Sequence, residues 1–217
     1  MIDLSKYHIR DLTLAYAKGM AGYDYEIAKT VAGEGWNARN LKLYSHAGTH
    51  MDAPFHFGVS DATIDQYDPS DLMGPAWVVH IPIHQSKQLL TVEVLGEVIH
   101  QFNPGDSLLL RTDWSQFLGQ SKYRNELPRI SEALAKWCVQ HQVKMLGVEP
   151  PSIADVNDLA EVTTIHQILL RGKVIIIEGL TQLYQIQKEK VHLIALPLKI
   201  EDGDGAPARV LALEEKT

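Results

Sequence analysis

Runs of apolar and β-branched residues recur along the chain and alternate with segments of helical periodicity. Five such runs predict β-strands, at residues 76–83, 106–112, 144–149, 173–180 and 191–199. Helical patterns fall between them, at residues 131–142, about 164–171 and 180–188. Ser131 is the expected N-cap of the first helix, and Gly172 the expected C-cap of the second. Strands that alternate with helices predict a mixed α/β fold.

The strand at 173–178, KVIIIE, is apolar on both faces until Glu178, which predicts a central strand covered on both sides. The first 60 residues differ, because they are rich in glycine, tyrosine and histidine and have weak periodicity. We expect loops and short strands around a site there. The length of 217 residues fits one domain over residues 1–217.

Composition narrows the classes of function. Hydrophobic residues make up 45% and charged residues 22%, as in an ordinary globular protein. The net charge is -7 and no basic stripe is present, so nucleic acid and anionic membranes are not expected as partners. No signal-peptide core or membrane span is found. The single cysteine, Cys138, excludes an internal disulfide and a cysteine-built zinc site, and its helical stripe predicts a buried thiol. We expect a cytoplasmic protein.

Three histidines and one aspartate are bunched in HAGTHMDAPFH, residues 46–56. The chain has ten histidines, which spread evenly would put about half of one in a window this short. In a straight strand, His46 and His50 would stand roughly 13 Å apart, an awkward distance for two ligands of one metal ion. A helix is disfavoured because the segment contains Gly48 and Pro54. We therefore expect Gly48 to bend the backbone so that the two imidazoles meet.

Asp52 adds a carboxylate to these two imidazoles, and such a set suits Zn²⁺, Mn²⁺ or Fe²⁺. Isolated histidines are usually surface residues or hydrogen-bonded core residues. However, HxxxHxD followed by PxH is far more constrained than a lone histidine pair. The spacing therefore predicts a metal site at this cluster.

Two downstream residues are candidates for the rest of the site, and each has a plain alternative. Glu178 ends an apolar strand, where a buried carboxylate is costly unless an opposite charge compensates it. A salt bridge or a helix N-terminus would serve as well as a metal ion. His166 lies in the helical stretch TTIHQILLRG and could equally face solvent. The residues alone leave both assignments open.

The histidine cluster resembles a known signature. HAGTHMDAPFHF is similar to the HxGTHxDxPxHF motif of the cyclase-like metal-dependent hydrolases, the family of the bacterial kynurenine formamidase and isatin hydrolase type. Asp113 stands where glycine is common in that family, and Glu149 stands in place of aspartate. Further segments resemble the family's own in chain order, namely DLTL near residue 11, LLLRTDW (108–114), LGVEPPSI (146–153), HQILLRGKVIIIEGL (166–180) and LPLKIEDGDGAPARVLAL (196–213).

The resemblance implies a set of metal ligands. His46, His50 and Asp52 would hold one ion. Asp52 would also bridge to a second ion held by His166 and Glu178. Each chain would then carry two divalent ions, Zn²⁺ or Mn²⁺. The implied fold is an α/β domain of the swivelling β/β/α type, with a mixed central sheet or barrel-like strands and flanking helices.

The resemblance also implies roles outside the metal ligands. His56 would be the general acid and base, with the alternative that it binds the metal or orients a ligand. Tyr23 would line the substrate pocket, where formamidases carry a tryptophan-proline-glycine stretch and this chain has GMAGYDY. A homo-oligomer, dimer or tetramer, is expected. Asp204 and Arg209 lie in the DGAPAR segment, near the site or in a structural salt bridge, and for Arg209 we favour the salt bridge.

The expected enzyme is a metal-dependent amidohydrolase that acts on C–N bonds other than peptide bonds, as an arylformamidase does. Its small-molecule substrate would be an amide or cyclic amide, such as an N-formyl aryl amine or a lactam. A metal ion can lower the pKa of a bound water to about 7, and the resulting hydroxide would attack the carbonyl carbon. The alternative is a metal-binding or small-molecule-binding protein of the same fold without turnover. His56 favours the enzyme, because a non-catalytic relative would have little need of it.

Overall fold

The structure is a computed structural model that describes residues 3–216, so positions 1, 2 and 217 of the predicted domain lie outside the described residues. The described strands are β1 Tyr7–Asp11, β2 Tyr23–Lys29, β3 Ala38–Leu43, β4 His50–Asp52, β5 Met73–His80, β6 Leu89–Leu90, β7 Ser107–Arg111, β8 Arg129–Ile130, β9 Met145–Val148, β10 Ile175–Glu178, β11 Lys190–Pro197 and β12 Gly205–Glu215. The described α-helices are α1 Val31–Glu34, α2 Val98–Gln101, α3 Ser121–Asn125, α4 Glu132–Gln140 and α5 Leu159–Arg171.

Seven strands of the described chain close into a barrel. Their order around the ring is β12, β11, β5, β7, β9, β10 and β4, and β4 pairs again with β12. The four strands from β5 to β10 in this ring run parallel, and the remaining pairings are antiparallel. β1 pairs with the far end of the long strand β12 and stays outside the ring. The predicted α/β fold with barrel-like strands is confirmed.

Consecutive residues of the central strands point into two different cores. Ile175 and Ile177 of β10 lie in the core inside the barrel, whereas Ile176 lies in the core between the barrel and the helices. β7 shows the same alternation, with Leu109 inside and its two leucine neighbours outside. A strand buried on both faces is apolar at every position. The prediction of a doubly covered strand ending in Glu178 is therefore confirmed.

Helices α4 and α5 pack against each other on the outside of the barrel. Ser131 caps α4, as predicted, and accepts a hydrogen bond from a backbone N–H of the first turn. Cys138 is fully buried, and burial raises the pKa of its thiol to about 12, as suits an inert thiol. α5 begins several residues earlier than predicted, because the Asp158 side chain caps two backbone N–H groups there. It ends at Arg171, directly before Gly172.

The predicted helix at 180–188 is wrong. The segment is irregular except for a 3₁₀ turn at Leu183–Gln185. Gly179 and Gln182 have positive φ angles, 68° and 59°, which interrupt a right-handed helix. The backbone N–H of Thr181 donates a hydrogen bond to a backbone carbonyl of the N-terminal segment at 3.0 Å. The chain therefore runs along that segment and does not form a helix.

The described part of the first 60 residues forms short strands and turns, as predicted, together with short helical turns such as α1. β2 and β3 make a two-stranded hairpin, and among the described residues neither pairs with another strand. β4 enters the barrel and carries His50 and Asp52 of the histidine motif. No helix between residues 3 and 216 combines the length and the apolar character needed to cross a membrane.

Candidate metal centre

The HAGTH turn brings His46 and His50 together. Gly48 has a φ of 61°, and a Cβ built on it would lie 3.1 Å from the ring of Tyr16, so the position favours glycine. The Tyr16 hydroxyl donates to the carbonyl of Ala47 at 2.6 Å and holds the turn in place. The two imidazole rings meet edge to face, with centroids 5.1 Å apart. The bend is therefore at Gly48, as the sequence predicts.

Thr49 ties this turn to the barrel. Its hydroxyl donates to the carbonyl of Gly179 at 2.6 Å and accepts from the backbone N–H of Leu14 at 2.8 Å. A Cβ on Gly179 would clash with the carbonyl oxygen of Gly48, so the two backbones can approach only because Gly179 has no side chain. The end of β10, with Glu178, is thereby pressed against the turn.

Asp52 lies at the centre of the cluster. Its Oδ1 is 2.9 Å from His46 Nδ1 and 3.7 Å from His50 Nε2, and its Oδ2 is 3.6 Å from His166 Nε2. Glu178 lies 3.2 Å from His50 Nε2 and 3.3 Å from His166 Nε2. The structure thus brings all five predicted ligands together. His166 is 2% exposed, so the alternative of a solvent-facing residue is wrong.

Backbone carbonyls orient two of the histidines. The Nδ1 of His50 is 3.0 Å from the Gly48 oxygen, and the Nδ1 of His166 is 2.6 Å from the Val162 oxygen. A carbonyl only accepts, so each Nδ1 carries the hydrogen and the Nε2 of a neutral ring presents a lone pair. These lone pairs face carboxylate oxygens, which is unfavourable unless a proton or a metal cation lies between them.

One buried carboxylate oxygen is left without a partner. Asp52 Oδ2 finds no hydrogen-bond donor within residues 3–216. Buried carboxylate oxygens are costly in that state, and a cation relieves the cost. Two sets of donor atoms, each within 4.8 Å of one another, share Asp52, namely His46, Asp52 and His56, and His50, Asp52 and Glu178. Imidazole and carboxylate donors in this arrangement fit a divalent transition metal.

Without a cation the cluster is a network of salt bridges. Burial lowers the pKa of His46, but hydrogen bonds to its carboxylate neighbours, Asp52 first, outweigh it and raise the pKa to about 9. Burial also lowers the pKa of His50 and His166, yet Glu178 raises both above the ordinary value. Burial raises the pKa of Glu178, and the two histidines hold it well below its usual range. Metal binding must therefore displace protons from these rings.

His56 lies beside the cluster in the 3₁₀ helix Pro54–Phe57. Its ring stacks on His46 with centroids 3.8 Å apart, and its side chain is 26% exposed. Burial lowers its pKa, the Asp52 carboxylate opposes this shift, and positive charge on His46 and His166 lowers the pKa further, so that the net shift is downward. His56 is therefore neutral near pH 7 and able to accept a proton.

A cavity of about 860 Å³ opens over the cluster. Most of its wall away from the histidines and Glu178 is apolar, and this part includes Leu14, Met20, Tyr44, Phe57, Leu118 and Val162. Arg124 is the one lysine or arginine on the described wall. A cavity of this size and character suits a small organic molecule.

Two residues considered in the sequence analysis lie away from this cavity. Tyr23 is not part of the described wall, because its ring packs edge-on against Tyr16 at 5.4 Å. The stretch before it and Tyr44 after the hairpin supply the wall instead. Arg209 forms a two-point salt bridge with Asp11, at 2.6 and 3.1 Å, between β12 and β1. The favoured structural role of Arg209 agrees with this geometry.

The sequence left two nearby residues without an assigned role. Asp204 lies 158 positions from His46, yet its Oδ2 is 2.9 Å from His46 Nε2. Phe57, the last letter of the motif, stacks on His166 with centroids 4.2 Å apart. Both residues could have been identified from their positions in the segments that resemble the family. Their spacing from the histidines does not indicate them.

Comparison with known proteins shows the family and the fold of the chain. A sequence model of the putative cyclase family matches residues 10–155. The kynurenine formamidase of Bacillus cytotoxicus is 30% identical over 197 residues, 89% of this chain and 88% of its own. That of a Bacillus cereus strain is 28% identical over 97% of this chain and 95% of its own. Isatin hydrolase A from Ralstonia solanacearum shares the fold, with a TM-score of 0.85 at 24% identity over 97% of this chain and 93% of its own.

Proposed function

The chain belongs to the putative cyclase family, and from that membership we propose that it is a metal-dependent hydrolase of amides or cyclic amides. The observation that carries the proposal is the buried cluster around Asp52, which has an unpaired carboxylate oxygen and two close sets of donor atoms. The histidines and Glu178 of this cluster line a cavity. No serine or cysteine nucleophile is needed for this chemistry.

The donor set would suit two divalent ions, Zn²⁺ or Mn²⁺, since Asp52 belongs to both sets of donor atoms. We assign His46, His50, Asp52, His166 and Glu178 as the ligands. A divalent ion held there supplies Lewis-acid chemistry, because it lowers the pKa of water and polarises a carbonyl oxygen.

His56 moves the proton in the proposed reaction. Its ring is neutral near pH 7 and lines the cavity next to the cluster. The oxygen of a water bonds to the carbonyl carbon while His56 takes the proton of that water. His56 then returns the proton to the leaving nitrogen as the C–N bond breaks, which yields a carboxylic acid and an amine. The stack on His46 keeps the ring in position for both transfers.

The lining and the volume of the cavity indicate the class of substrate. Its aromatic and aliphatic wall suits a flat apolar body, and its volume far exceeds the needs of a formyl group alone. Relatives of this chain are named as kynurenine formamidases, and a fold neighbour as an isatin hydrolase. We therefore propose N-formyl aryl amines and isatin-like lactams as substrates.

A substrate screen tests the proposed function. Metal-loaded protein is assayed against N-formyl aryl amines by formate release, and against isatin-like lactams and lactones by ring opening. We expect turnover of a formamide or a lactam, and none by chelator-treated protein. Binding of these compounds without turnover would indicate the non-catalytic alternative. Turnover of lactones alone would contradict amide hydrolysis.

We also propose that the chain forms a homo-oligomer through the β2–β3 hairpin. An isolated two-stranded hairpin is marginally stable in water, so it needs a covering surface. The hairpin segment exposes large apolar side chains, including Ile27 at 67%, Leu41 at 61% and Trp36 at 58%. A second copy of the chain is the proposed cover, because most oligomers of one chain pair the same patch on both subunits. The hairpin is flanked by cavity-wall residues, so this contact would also order the cavity mouth.

Light scattering at micromolar concentration tests the assembly. We expect a mass of two or four times the 24.3 kDa of one chain. Leu41→Glu should dissociate the oligomer, because it places a charge in the apolar contact. Leu159→Glu is the matched control, since Leu159 is 79% exposed at the start of α5. A monomer mass for the unchanged protein, or equal effects of both variants, would contradict the hairpin interface.

A further inference from the structure

Asp204 lies beside the metal cluster without belonging to it. It precedes β12, and its carbonyl oxygen accepts a hydrogen bond from Ala53 N–H at 3.0 Å. The next residue, Gly205, is the register partner of Asp52. A Cβ on Gly205 would lie 2.6 Å from the His46 ring, so this ring can rest over the start of β12 only because the residue is glycine. The local backbone therefore directs the Asp204 side chain toward His46.

His46 has a carboxylate at each ring nitrogen. Asp52 Oδ1 is 2.9 Å from Nδ1, and Asp204 Oδ2 is 2.9 Å from Nε2. The two carboxylates differ in exposure. The side chain of Asp52 lies at the cluster centre and is 1% exposed, whereas that of Asp204 lies outside the cluster and is 39% exposed. A neutral imidazole has one N–H, so only one carboxylate can receive a hydrogen bond while the other nitrogen binds a cation.

We propose that Asp204 is a positioning residue that accepts the Nε2–H of His46 and thereby turns the Nδ1 lone pair toward the metal site at Asp52. The inference rests on the proposed metal-dependent function. A carboxylate in this place fixes the tautomer and the ring orientation and makes the imidazole a stronger ligand.

The role of Asp204 can be tested without a change in the groups that orient the other two cluster histidines. The orienting acceptors of His50 and His166 are backbone carbonyls, which a side-chain substitution does not remove. His46 is oriented by a side chain that a substitution can change. The same Asp204 oxygen lies 3.6 Å from His56 Nδ1, so one carboxylate faces both the ligand and the proposed proton carrier.

Metal affinity of Asp204 variants tests the assignment without reference to turnover. Zn²⁺ and Mn²⁺ are titrated against a chromophoric chelator in competition with each protein. Asp204→Ala removes the acceptor, and we expect an affinity about 10–100-fold weaker than in the unchanged protein. Asp204→Asn keeps an acceptor oxygen without the charge, so its loss should be smaller. Asp204→Glu should recover part of the affinity, which a merely structural role in the loop does not predict.

Asp202→Asn is the matched control. It makes the same charge change in the same loop, and Asp202 is exposed. Unchanged affinity in Asp204→Ala, or equal losses in the Asp204 and Asp202 variants, would overturn the assignment. If Asp204→Ala does not fold, the comparison of Asp204→Asn with Asp202→Asn decides. Metal binding by the unchanged protein without hydrolysis would instead contradict the proposed function and leave this test intact.

Discussion

Removal of divalent metal should abolish hydrolysis and lower the melting temperature of the protein. The activity should fall to background, because His56 remains as a base but no group of the cluster replaces the metal in lowering the pKa of water and polarising the carbonyl oxygen. The stability should fall because a ligand that binds only the folded state stabilises it, by about 2.7 kcal/mol at a hundredfold excess over its dissociation constant. For a chain of this size, that corresponds to a change of roughly 5 to 10 °C.

The measurement is a pair of assays on the same sample before and after chelation and desalting, followed by re-addition of Mn²⁺ or Zn²⁺. Both activity and melting temperature should return with the metal. Asp52→Asn is the informative variant, because it removes the carboxylate that both donor sets share. Added metal should restore neither the activity nor the melting temperature of this variant. Full activity in protein shown by elemental analysis to be metal-free would rule out the proposed mechanism.

The proximity of the proposed ligands was largely predictable from the sequence because the first of them are local. His46, His50 and Asp52 lie within seven residues, and the glycine between the histidines indicates the bend that the structure places there. The assignment of His166 and Glu178 as metal ligands could not be decided from spacing alone, because each residue has an ordinary structural alternative. Glu178 joins the cluster through the pairing of β10 with β4, which presents it opposite His50. His166 joins from α5, which packs against the 3₁₀ helix Pro54–Phe57.

Long-range contacts account for what the sequence did not indicate. The barrel closes through the pairing of β4 with β12, whose residues lie about 150 positions apart. Local periodicity cannot predict a contact over that separation. The same pairing brings Asp204 to His46. The wrong helix at 180–188 has the same origin, since its apolar residues pack on the barrel core while its backbone bonds to the N-terminal segment.

Replacement of His56 should cost turnover while the metal stays in place, whereas replacement of His50 should cost both. His50 is 2% exposed, and its Nε2 faces the carboxylates of Asp52 and Glu178. Its loss removes a donor from the centre of the cluster. His56 lies at the cavity wall with a partly exposed ring, where it can exchange protons with substrate and solvent. Loss of a general acid and base costs about 10² to 10⁴ in rate.

Elemental analysis beside a rate measurement separates the two roles. We expect His50→Ala to lose metal and activity together, and His56→Ala to keep metal near the stoichiometry of the unchanged protein and lose most of its kcat. His84→Ala, a change at an exposed histidine, should alter neither quantity. His56 also belongs to one of the two donor sets, so metal depletion in His56→Ala would make it a ligand and assign the proton transfer to another group. Full rate with full metal in that variant would show that His56 takes no part in the chemistry.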